Sequence, residues 1–270
     1  MQGTSPDAAG GRSLVLLGCG KMGGALLEGW LASGLPAETI HVIEPHPSEA
    51  LTTTGVRLNQ GLPDAASVAI LAVKPQIIEE AAPELAPLAA SGTVFISIAA
   101  GTPIAAFEAM FGAETPIIRV MPNTPSAIGQ GISAIFGNAA TTEAHLVMAE
   151  QLMAAVGSTV RLETEAHMDV VTGLSGSGPA YVFHLIEAMA AAGEAEGLPP
   201  ELAMALARAT VSGAGALAAA STEPADVLRE NVTSPGGTTA AGLGVLMQDL
   251  PDLIRRTVAA AAERSRELAG

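Results

Sequence analysis

The stretch Leu14-Val15-Leu16-Leu17-Gly18-Cys19-Gly20-Lys21-Met22-Gly23-Gly24-Ala25-Leu26-Leu27 decides the fold. Its first four residues are all apolar and predict a fully buried strand, and the residues from Met22 to Leu31 have the apolar periodicity of a helix. Between the two elements, Gly18, Gly20 and Gly23 have the G-x-G-x-x-G spacing of a turn that binds a dinucleotide. One glycine would make the tight turn, one would let the backbone approach a pyrophosphate, and one would let the helix pack closely on the strand. The free N–H groups at the start of the helix would then hold the phosphate charge.

The size and composition of the chain limit its class. Its 270 residues allow two domains, and its single cysteine excludes a disulfide within the chain, so we expect a reducing, cytoplasmic compartment. Its net charge of −15 argues against nucleic acid or an anionic membrane surface as a partner. No unbroken apolar run reaches the length of about 18 residues that a membrane span needs. Residues 1–12 lack the apolar segment of a signal peptide, and we expect them to form a flexible leader.

Strands and helices alternate after the glycine turn. Further strands are predicted at 39–43, 68–73, 93–98 and 116–120, with one helix that runs through Leu88 and another at 103–110. This alternation predicts an α/β fold with a Rossmann-type, doubly wound, mainly parallel sheet, in a dinucleotide-binding domain at 13–165. The alanine-rich remainder at 166–270 predicts an all-helical domain that also packs against a second subunit, as a dimerisation domain does. Its helices are expected near 168–174, 178–197, 200–220, 224–230, 238–248 and 251–268.

Several polar or small residues follow the predicted strands. Glu44 comes about 20 residues after the last glycine, where an acidic side chain can accept hydrogen bonds from the adenosine ribose hydroxyls. The nearest arginine, Arg57, lies well downstream, so the pattern favours NAD(H) over NADP(H). Lys74, the segment Ala99–Gly101 and Asn123 follow three other strands, and we expect them on the same rim as the glycine turn. Each of them alone could be an ordinary loop residue.

A second glycine-rich turn lies in the helical half, in Asn231-Val232-Thr233-Ser234-Pro235-Gly236-Gly237-Thr238-Thr239-Ala240. It leads into a helix whose first N–H groups have no intrahelical partner, which is a receptor for a carboxylate. The hydroxyls of Ser234 and Thr238 would be additional donors. The alternative is a simple N-cap between two packed helices.

Other patterns fail as sites. Ser177 stands where a G-x-S-x-G nucleophile elbow needs its second glycine, and no strand precedes it. The five histidines show no metal-ligand spacing, so we predict no metal.

The motifs occur in an order that resembles a known family. They are Gly18 to Gly23, Ala72-Val73-Lys74-Pro75-Gln76, Ser97-Ile98-Ala99-Ala100-Gly101, Met121-Pro122-Asn123-Thr124-Pro125, Leu174 to Tyr181, and Ser234-Pro235-Gly236-Gly237-Thr238-Thr239. With them the chain resembles the pyrroline-5-carboxylate reductase family over nearly its whole length after the leader. The resemblance implies NAD(P)H-dependent reduction of the C=N bond of 1-pyrroline-5-carboxylate to L-proline, the last step of proline biosynthesis. It also implies a homodimer through the helical domain, often within a ring of dimers.

The resemblance also implies roles for single residues. Cofactor contacts are implied at Gly18, Cys19, Gly20, Lys21, Met22, Gly23, Asn59, Ala72, Val73, Lys74, Pro75, Ala99 and Ala100; Glu44 and Asn123 join this set by their positions at strand ends. Substrate contacts are expected at Asn231, Ser234, Gly236, Gly237, Thr238 and Thr239, with Thr239 near the ring nitrogen as the catalytic residue. Two departures stand out: many members have a small or polar residue, and a preference for NADPH, where Glu44 stands, and the spacing before Asn231 leaves the alignment of Glu223 open.

The chemistry agrees with this inventory of residues. A cyclic imine can arrive already protonated, so the site must supply orientation and a hydrogen-bond partner at nitrogen rather than a strong acid. Three alternatives remain open: a reductase of another cyclic imine, a β-hydroxyacid dehydrogenase, and a dinucleotide-binding regulatory protein without turnover. The dehydrogenase is disfavoured, because that family uses a lysine in the helical half and the lysines of this chain are Lys21 and Lys74.

Overall fold

The computed structural model describes residues 13–268, and the leader expected at residues 1–12 lies outside the described residues. The chain packs as two compact units: one contains the described residues up to Gly176 together with those from Ala261 onward, and the other is Ser177–Ala260. The predicted domain limits, 13–165 and 166–270, differ from the limits of these packing units.

The first unit is built on a sheet. Its strands are β1 Ser13–Leu17, β2 Ile40–Ile43, β3 Arg57–Leu58, β4 Ala66–Leu71, β5 Val94–Ser97, β6 Ile117–Met121, β7 Gly131–Gly137 and β8 Gly157–Arg161. They lie in the order β3-β2-β1-β4-β5-β6-β7-β8, and every neighbouring pair is parallel except the antiparallel pair of β6 and β7. The predicted doubly wound, mainly parallel sheet is confirmed. Because β1, β2, β4, β5 and β6 all run in the same direction, their carboxyl ends share one edge of the sheet.

The helices before Ser177 pack with this sheet in the first unit, and most of the later helical residues form the second unit. They are α1 Lys21–Ala32, α2 Glu49–Thr52, α3 Ile78–Ala81, α4 Ala86–Ala89, α5 Ile104–Phe111, α6 Glu143–Ala154, α7 His167–Val171, α8 Gly178–Ala195, α9 Pro200–Ala220, α10 Ala225–Asn231 and α11 Thr238–Leu268. Single 3₁₀ turns lie at Ala37–Thr39, Pro75–Ile77, Ala82–Leu85 and Thr124–Ile128, and a π-helical turn lies at Thr172–Gly176.

The apolar runs of the strands bury both faces of the sheet. Leu14 and Leu16 of β1 pack with Trp30 on one face, while Val15 and Leu17 pack on the other face in a cluster that includes Phe107. Successive side chains of a strand point to opposite faces, so a strand covered on both sides is apolar at every position. The Trp30 indole Nε1–H also donates to the carbonyl of Leu152 at 2.8 Å, which ties α1 to α6.

Several sequence predictions differ from the structure. The single helix expected to run through Leu88 is a series of short 3₁₀ and α turns from Pro75 to Ala89, because Pro83 and Pro87 interrupt the helical hydrogen bonds. The two helices expected at 238–248 and 251–268 are one helix, α11, with Pro251 inside it. Proline removes one hydrogen bond, the one to the carbonyl of Met247 four residues earlier, and the helix continues through it.

The second unit has a small core of its own. Ala190 on α8 packs with Ala203 and Ala207 on α9, where small residues allow the two helices to approach closely. Many large apolar side chains of this unit stay exposed: Val182, Phe183, Leu185, Met189, Leu198, Leu202, Met204, Leu206, Leu217, Val232, Val245, Leu246, Met247, Leu253 and Ile254. Exposed apolar surface of this extent marks an interaction surface.

Within the described residues, one helix, α9, is long and apolar enough to cross a membrane by length and composition. The expectation that no such segment exists rested on unbroken apolar runs, which Glu201 and Arg208 interrupt in α9.

Candidate functional site

The turn between β1 and α1 needs two of its glycines for packing. Gly18 has a φ of +87°, and a Cβ there would lie 2.7 Å from Cγ1 of Val73 and 3.0 Å from the carbonyl carbon of Ala72. A Cβ at Gly23 would lie 2.5 Å from the carbonyl oxygen of Gly18. A side chain at either position would therefore force the turn or the start of α1 to move.

Gly20 is different, because the space above it is open. Apart from the neighbouring residues in the chain, no heavy atom of residues 13–268 would lie within 4 Å of a Cβ at this position. Gly20 is also the N-cap of α1 and makes no side-chain cap bond to the first turn. An uncapped helix N-terminus next to open space is the arrangement that binds a phosphate.

The turn lines a cleft of about 770 Å³, within the range of small-molecule and cofactor sites. The lining residues include four of the predicted cofactor contacts in the turn, Cys19, Gly20, Lys21 and Met22, and Glu44 at the end of β2. The other lining residues are Gly24, Ala25, Leu27, Glu28, His46, Ser48, Ala50, Leu51, Thr54, Thr124 and Ala127. An open glycine turn and an acidic side chain in one cleft fit the pyrophosphate and the ribose of a dinucleotide.

The Glu44 carboxylate is held between two loops. Oε2 accepts a hydrogen bond from the backbone N–H of Cys19 at 2.8 Å, and Oε1 accepts one from the N–H of His46 at 3.0 Å. Asn59, in the left-handed region with a φ of 52°, fixes the backbone of Glu44: its Oδ1 accepts from the Glu44 N–H and its Nδ2 donates to the Glu44 carbonyl, both at 2.9 Å. Each carboxylate oxygen keeps a further lone pair for a ribose hydroxyl.

Cys19 lies beside this carboxylate and is not an activated thiol. Burial, followed by the charges of Glu44 and Glu28, raises the pKa of Cys19 to about 11. The thiol therefore stays protonated at neutral pH, and only the backbone of Cys19 takes part in the turn.

The predicted residues after β4 and β5 lie at the same edge of the sheet but outside the lining of this cleft. The N–H of Ala72 donates to the carbonyl of Leu17 at 2.8 Å, and Val73 packs on Gly18. Lys74 and Pro75 are exposed, while Ala99 is buried and Ala100 half-buried.

Asn123 uses its side chain to hold the protein together. Its Oδ1 accepts from the N–H of Ile132 at 3.0 Å, and its Nδ2 donates to the carbonyl of Ser175 at 3.2 Å. The side chain therefore joins the end of β6 to β7 and to the π-helical turn. Its predicted contact with the cofactor stays a prediction.

Sequence reasoning missed an ion pair between β6 and the residues just before α7. The Arg119 guanidinium, buried in β6, lies 2.7 Å from Oε1 of Glu165. The same carboxylate oxygen accepts from the N–H of Ile104 at 2.7 Å, at the start of α5. A charged residue inside the apolar stretch at 116–120 was the signal that could have identified it, since a buried charge needs a partner.

The second glycine-rich turn begins α11. Gly236 has a φ of +71°, the N–H of Gly237 donates to the carbonyl of Ser234 at 3.0 Å, and Thr238 is the first residue of the helix. Ser234, Thr238 and Thr239 are exposed in this unit. The predicted substrate residues of the turn are thus contiguous and accessible.

Asn231, which precedes this turn, is hydrogen-bonded to a glutamate side chain. Its Nδ2 donates to Oε2 of Glu223 at 3.0 Å. A smaller cavity of about 370 Å³ lies next to the turn, lined by Arg229, Glu230, Thr233, Ala240, Leu243, Gly244 and Met247.

The structure gives one finding on metals. Within residues 13–268, no three His, Cys, Asp or Glu side chains come together in a group that could hold a metal ion.

Comparisons with known proteins agree along almost the whole chain. A family model described as pyrroline-5-carboxylate reductase dimerisation matches residues 165–268, and one described as NADP oxidoreductase coenzyme F420-dependent matches residues 13–101. The pyrroline-5-carboxylate reductase of Pseudomonas aeruginosa is 39% identical over 95% of this chain and 96% of its own length. The enzyme of the same name from Pisum sativum is 38% identical over 95% and 96%.

Solved structures give the same result. A pyrroline-5-carboxylate reductase from Coxiella burnetii has a TM-score of 0.90 and 33% identity, and the match covers 96% of this chain and 99% of that one. The Plasmodium falciparum pyrroline carboxylate reductase with NADP bound has a TM-score of 0.83 and 30% identity, with the same coverage of 96% and 99%.

Proposed function

The chain belongs to the pyrroline-5-carboxylate reductase family, and from this premise we propose how its own residues perform the reaction. It is an NAD(P)H-dependent oxidoreductase that reduces the C=N bond of 1-pyrroline-5-carboxylate to give L-proline. The reduced nicotinamide supplies the hydride when the cofactor is bound. The tasks left to the protein are to bind both molecules, to orient them and to stabilise the imine nitrogen.

The glycine turn binds the pyrophosphate. Its support is the open space at Gly20 together with the N–H groups of Lys21 and Met22, which begin α1 without a side-chain cap among the described residues. Lys74, Pro75, Ala99 and Ala100 follow β4 and β5, and they contact the nicotinamide half of the cofactor from the same edge of the sheet.

Glu44 binds the adenosine ribose and selects NADH over NADPH. Its carboxylate lines the cleft together with Glu28, and a 2′-phosphate would meet both negative charges. The nearest arginine, Arg57, is not among the residues that line the cleft, and its Nε donates to the carbonyl of Glu38 at 2.8 Å.

The turn from Ser234 to Thr239 binds the substrate. The hydroxyls of Ser234 and Thr238 and the first N–H groups of α11 hold the substrate carboxylate. Thr239 places its hydroxyl at the ring nitrogen, where it accepts a hydrogen bond from the protonated imine and orients the C=N bond. Since the imine arrives protonated, the step needs no proton from a side chain.

The enzyme is a homo-oligomer through its helical domain. We propose that the exposed apolar side chains of α8, α9 and α11 form the dimer interface, because a core of three alanines cannot bury them within one chain. We also propose that the dimers form a ring, that the enzyme is cytoplasmic and that catalysis needs no metal.

The observation that carries the proposal is the open, uncapped glycine turn beside the Glu44 carboxylate. The test is an absorbance assay of cofactor oxidation with 1-pyrroline-5-carboxylate and, in separate reactions, NADH and NADPH. Substrate-dependent oxidation, faster with NADH, supports the proposal. Greater activity with a six-membered cyclic imine would point to another substrate, and NADH binding without oxidation would point to a regulatory protein.

A further inference from the structure

The last turns of α11, from Ala261 onward, belong to the first unit. From Thr238 to Leu268 the buried residues of this helix are Ala262 and Ser265, which lie three positions apart and so share one face. On the outer face Arg264 and Glu267 form an exposed ion pair at 2.7 Å. The end of the helix therefore has one buried face and one solvated face.

A hydrogen bond from a buried hydroxyl fixes this face. The Ser265 hydroxyl donates to Oδ1 of Asp169 on α7 at 2.7 Å, across 96 positions in sequence. Ser265 is 4% exposed and Asp169 is half-buried, so the hydroxyl end of the contact is shielded from competing water. A hydrogen bond from a shielded hydroxyl to a carboxylate is stronger than one between neutral, solvated groups.

Beyond Ser265, the helix reaches the loop that follows β5. A Cβ placed on Gly101 would lie 3.2 Å from Cβ of Leu268, 3.5 Å from its carbonyl carbon and 3.6 Å from its carbonyl oxygen. Gly101 itself is buried and has a φ of +75°. The backbone at the end of α11 therefore packs directly against the backbone of this loop.

The two ends of the same loop are fixed by other contacts. At its start the N–H of Ala99 donates to Oγ of Ser97 at 3.2 Å. At its end the N–H of Ile104 donates to Glu165, which Arg119 holds in place. The contact with Leu268 supports the middle of the loop, between these two anchors.

We propose that the C-terminal turn of α11, latched by Ser265 to Asp169, is a positioning element for the cofactor loop Ala99–Gly101. The inference rests on the proposed function, which places Ala99 and Ala100 against the cofactor. Ser265, Asp169 and Leu268 touch neither substrate nor cofactor in this account; they act through Gly101. Loss of the latch lets the loop move and weakens cofactor binding, while the substrate turn at the other end of α11 keeps its structure.

The test compares four point variants of the full-length enzyme. Ser265→Ala removes the hydroxyl and Asp169→Ala removes the acceptor, whereas Asp169→Asn keeps Oδ1 as an acceptor. Arg264→Ala is the matched control on the solvated face of the same turn. The measurements are the Kd of NADH by fluorescence titration without substrate and the KM for the imine substrate at saturating NADH.

We expect Ser265→Ala and Asp169→Ala to raise the Kd of NADH by about 3- to 10-fold, the effect of losing one hydrogen bond. Asp169→Asn and Arg264→Ala should stay within about twofold of wild type, and the substrate KM should stay within about twofold in all four. A general structural defect would change both constants together, so the separation of the NADH Kd from the substrate KM distinguishes a positioning role from a merely structural one.

A second pair of variants does not depend on the hydroxyl. Leu268→Ala keeps the Cβ and backbone atoms that touch Gly101 and should bind NADH as wild type does, while a chain that ends at Glu267 loses them and should bind it more weakly. Unchanged NADH affinity in both Ser265→Ala and the shortened chain, with both folded, would overturn the inference. A wild-type enzyme that fails to oxidise NADH with 1-pyrroline-5-carboxylate would instead overturn the proposed function, so the two failures are distinguishable.

Discussion

The proposed preference for NADH depends on the charge of Glu44, and Glu44→Gln tests this proposal with little change of shape. The amide keeps one oxygen that can accept from the N–H of Cys19, the contact that the carboxylate makes at 2.8 Å. Asn59 bonds the backbone of residue 44 and is unaffected by the substitution. The variant therefore removes the negative charge and the acceptor for the N–H of His46, while the bond to Cys19 and the backbone bonds of Asn59 remain.

The size of the effect follows from Coulomb repulsion between this charge and a 2′-phosphate. The phosphate carries about 1.5 to 2 negative charges near neutral pH. At about 5 Å from a carboxylate, the repulsion is about 1.5 kcal/mol in water and about 6 kcal/mol at an effective dielectric constant of 20. Because Glu44 is half-buried at an open cleft, we expect about 1.4 to 2.8 kcal/mol, a preference of about 10- to 100-fold for NADH.

The assay is the ratio of kcat/KM for NADH to kcat/KM for NADPH, measured at fixed ionic strength with 1-pyrroline-5-carboxylate. Fixed salt matters, because screening weakens interactions between charges near solvent. We expect the ratio to fall by about tenfold or more in Glu44→Gln, mainly through a lower KM for NADPH. Glu38→Gln, at an exposed glutamate that does not line the cleft, is the matched control and should leave the ratio unchanged.

Two results would refute this reasoning. A wild-type enzyme that strongly prefers NADPH would show that the Glu44 carboxylate turns away from the ribose when the cofactor binds. A ratio that does not change in Glu44→Gln would show that the charge at this position has no part in the discrimination.

Three further predictions concern the substrate turn, the core and the pH dependence of stability. Thr239→Ala should lower kcat by about 10- to 100-fold, since it removes a hydrogen bond to a charged group, and should leave the Kd of NADH within about twofold; unchanged turnover would remove Thr239 from the mechanism. Trp30→Ala should lower the free energy of unfolding by about 3 to 5 kcal/mol in denaturant titrations, because it leaves a cavity and an unpaired carbonyl at Leu152; a loss below about 1 kcal/mol would contradict the packing described for this face. The hydrogen bond from Arg161 holds the pKa of Glu150 below its ordinary value of 4.5, so its contribution to stability is complete above about pH 4.5 and is lost as the pH falls further. In acid unfolding curves, Glu150→Gln should flatten this part of the pH dependence, and an unchanged slope would contradict it.

Local patterns in the sequence identified most of the fold. Four apolar residues before Gly18 predicted β1, since a strand covered on both faces is apolar throughout. The strands β2, β4, β5 and β6 were predicted in the same way, within two residues of their bounds. The strands β3, β7 and β8 and the helices α2 and α6 were missed. The strand β3 has two residues, Ser133 interrupts the apolar run of β7, and β8 is an edge strand with exposed side chains.

The contacts within the candidate site were harder to predict, because they join residues far apart in the chain. The spacing predicted that Glu44 lies near the ribose. It did not indicate that Asn59, in a left-handed conformation, would bond the backbone of Glu44. For Asn123 the sequence predicted a cofactor contact, which stays a prediction, and it did not indicate the side-chain bonds to Ile132 and Ser175. The contact of Ser265 with Asp169 depends on α11 continuing through Pro251, which local propensity argues against.

The most direct test of the central claim is the fate of deuterium from NADH labelled at the transferable C4 position. After incubation with the enzyme and 1-pyrroline-5-carboxylate, mass spectrometry and NMR would locate the label in the product. The account predicts L-proline with one deuterium on the former imine carbon. Proline without deuterium at that carbon, or no proline at all, would contradict it.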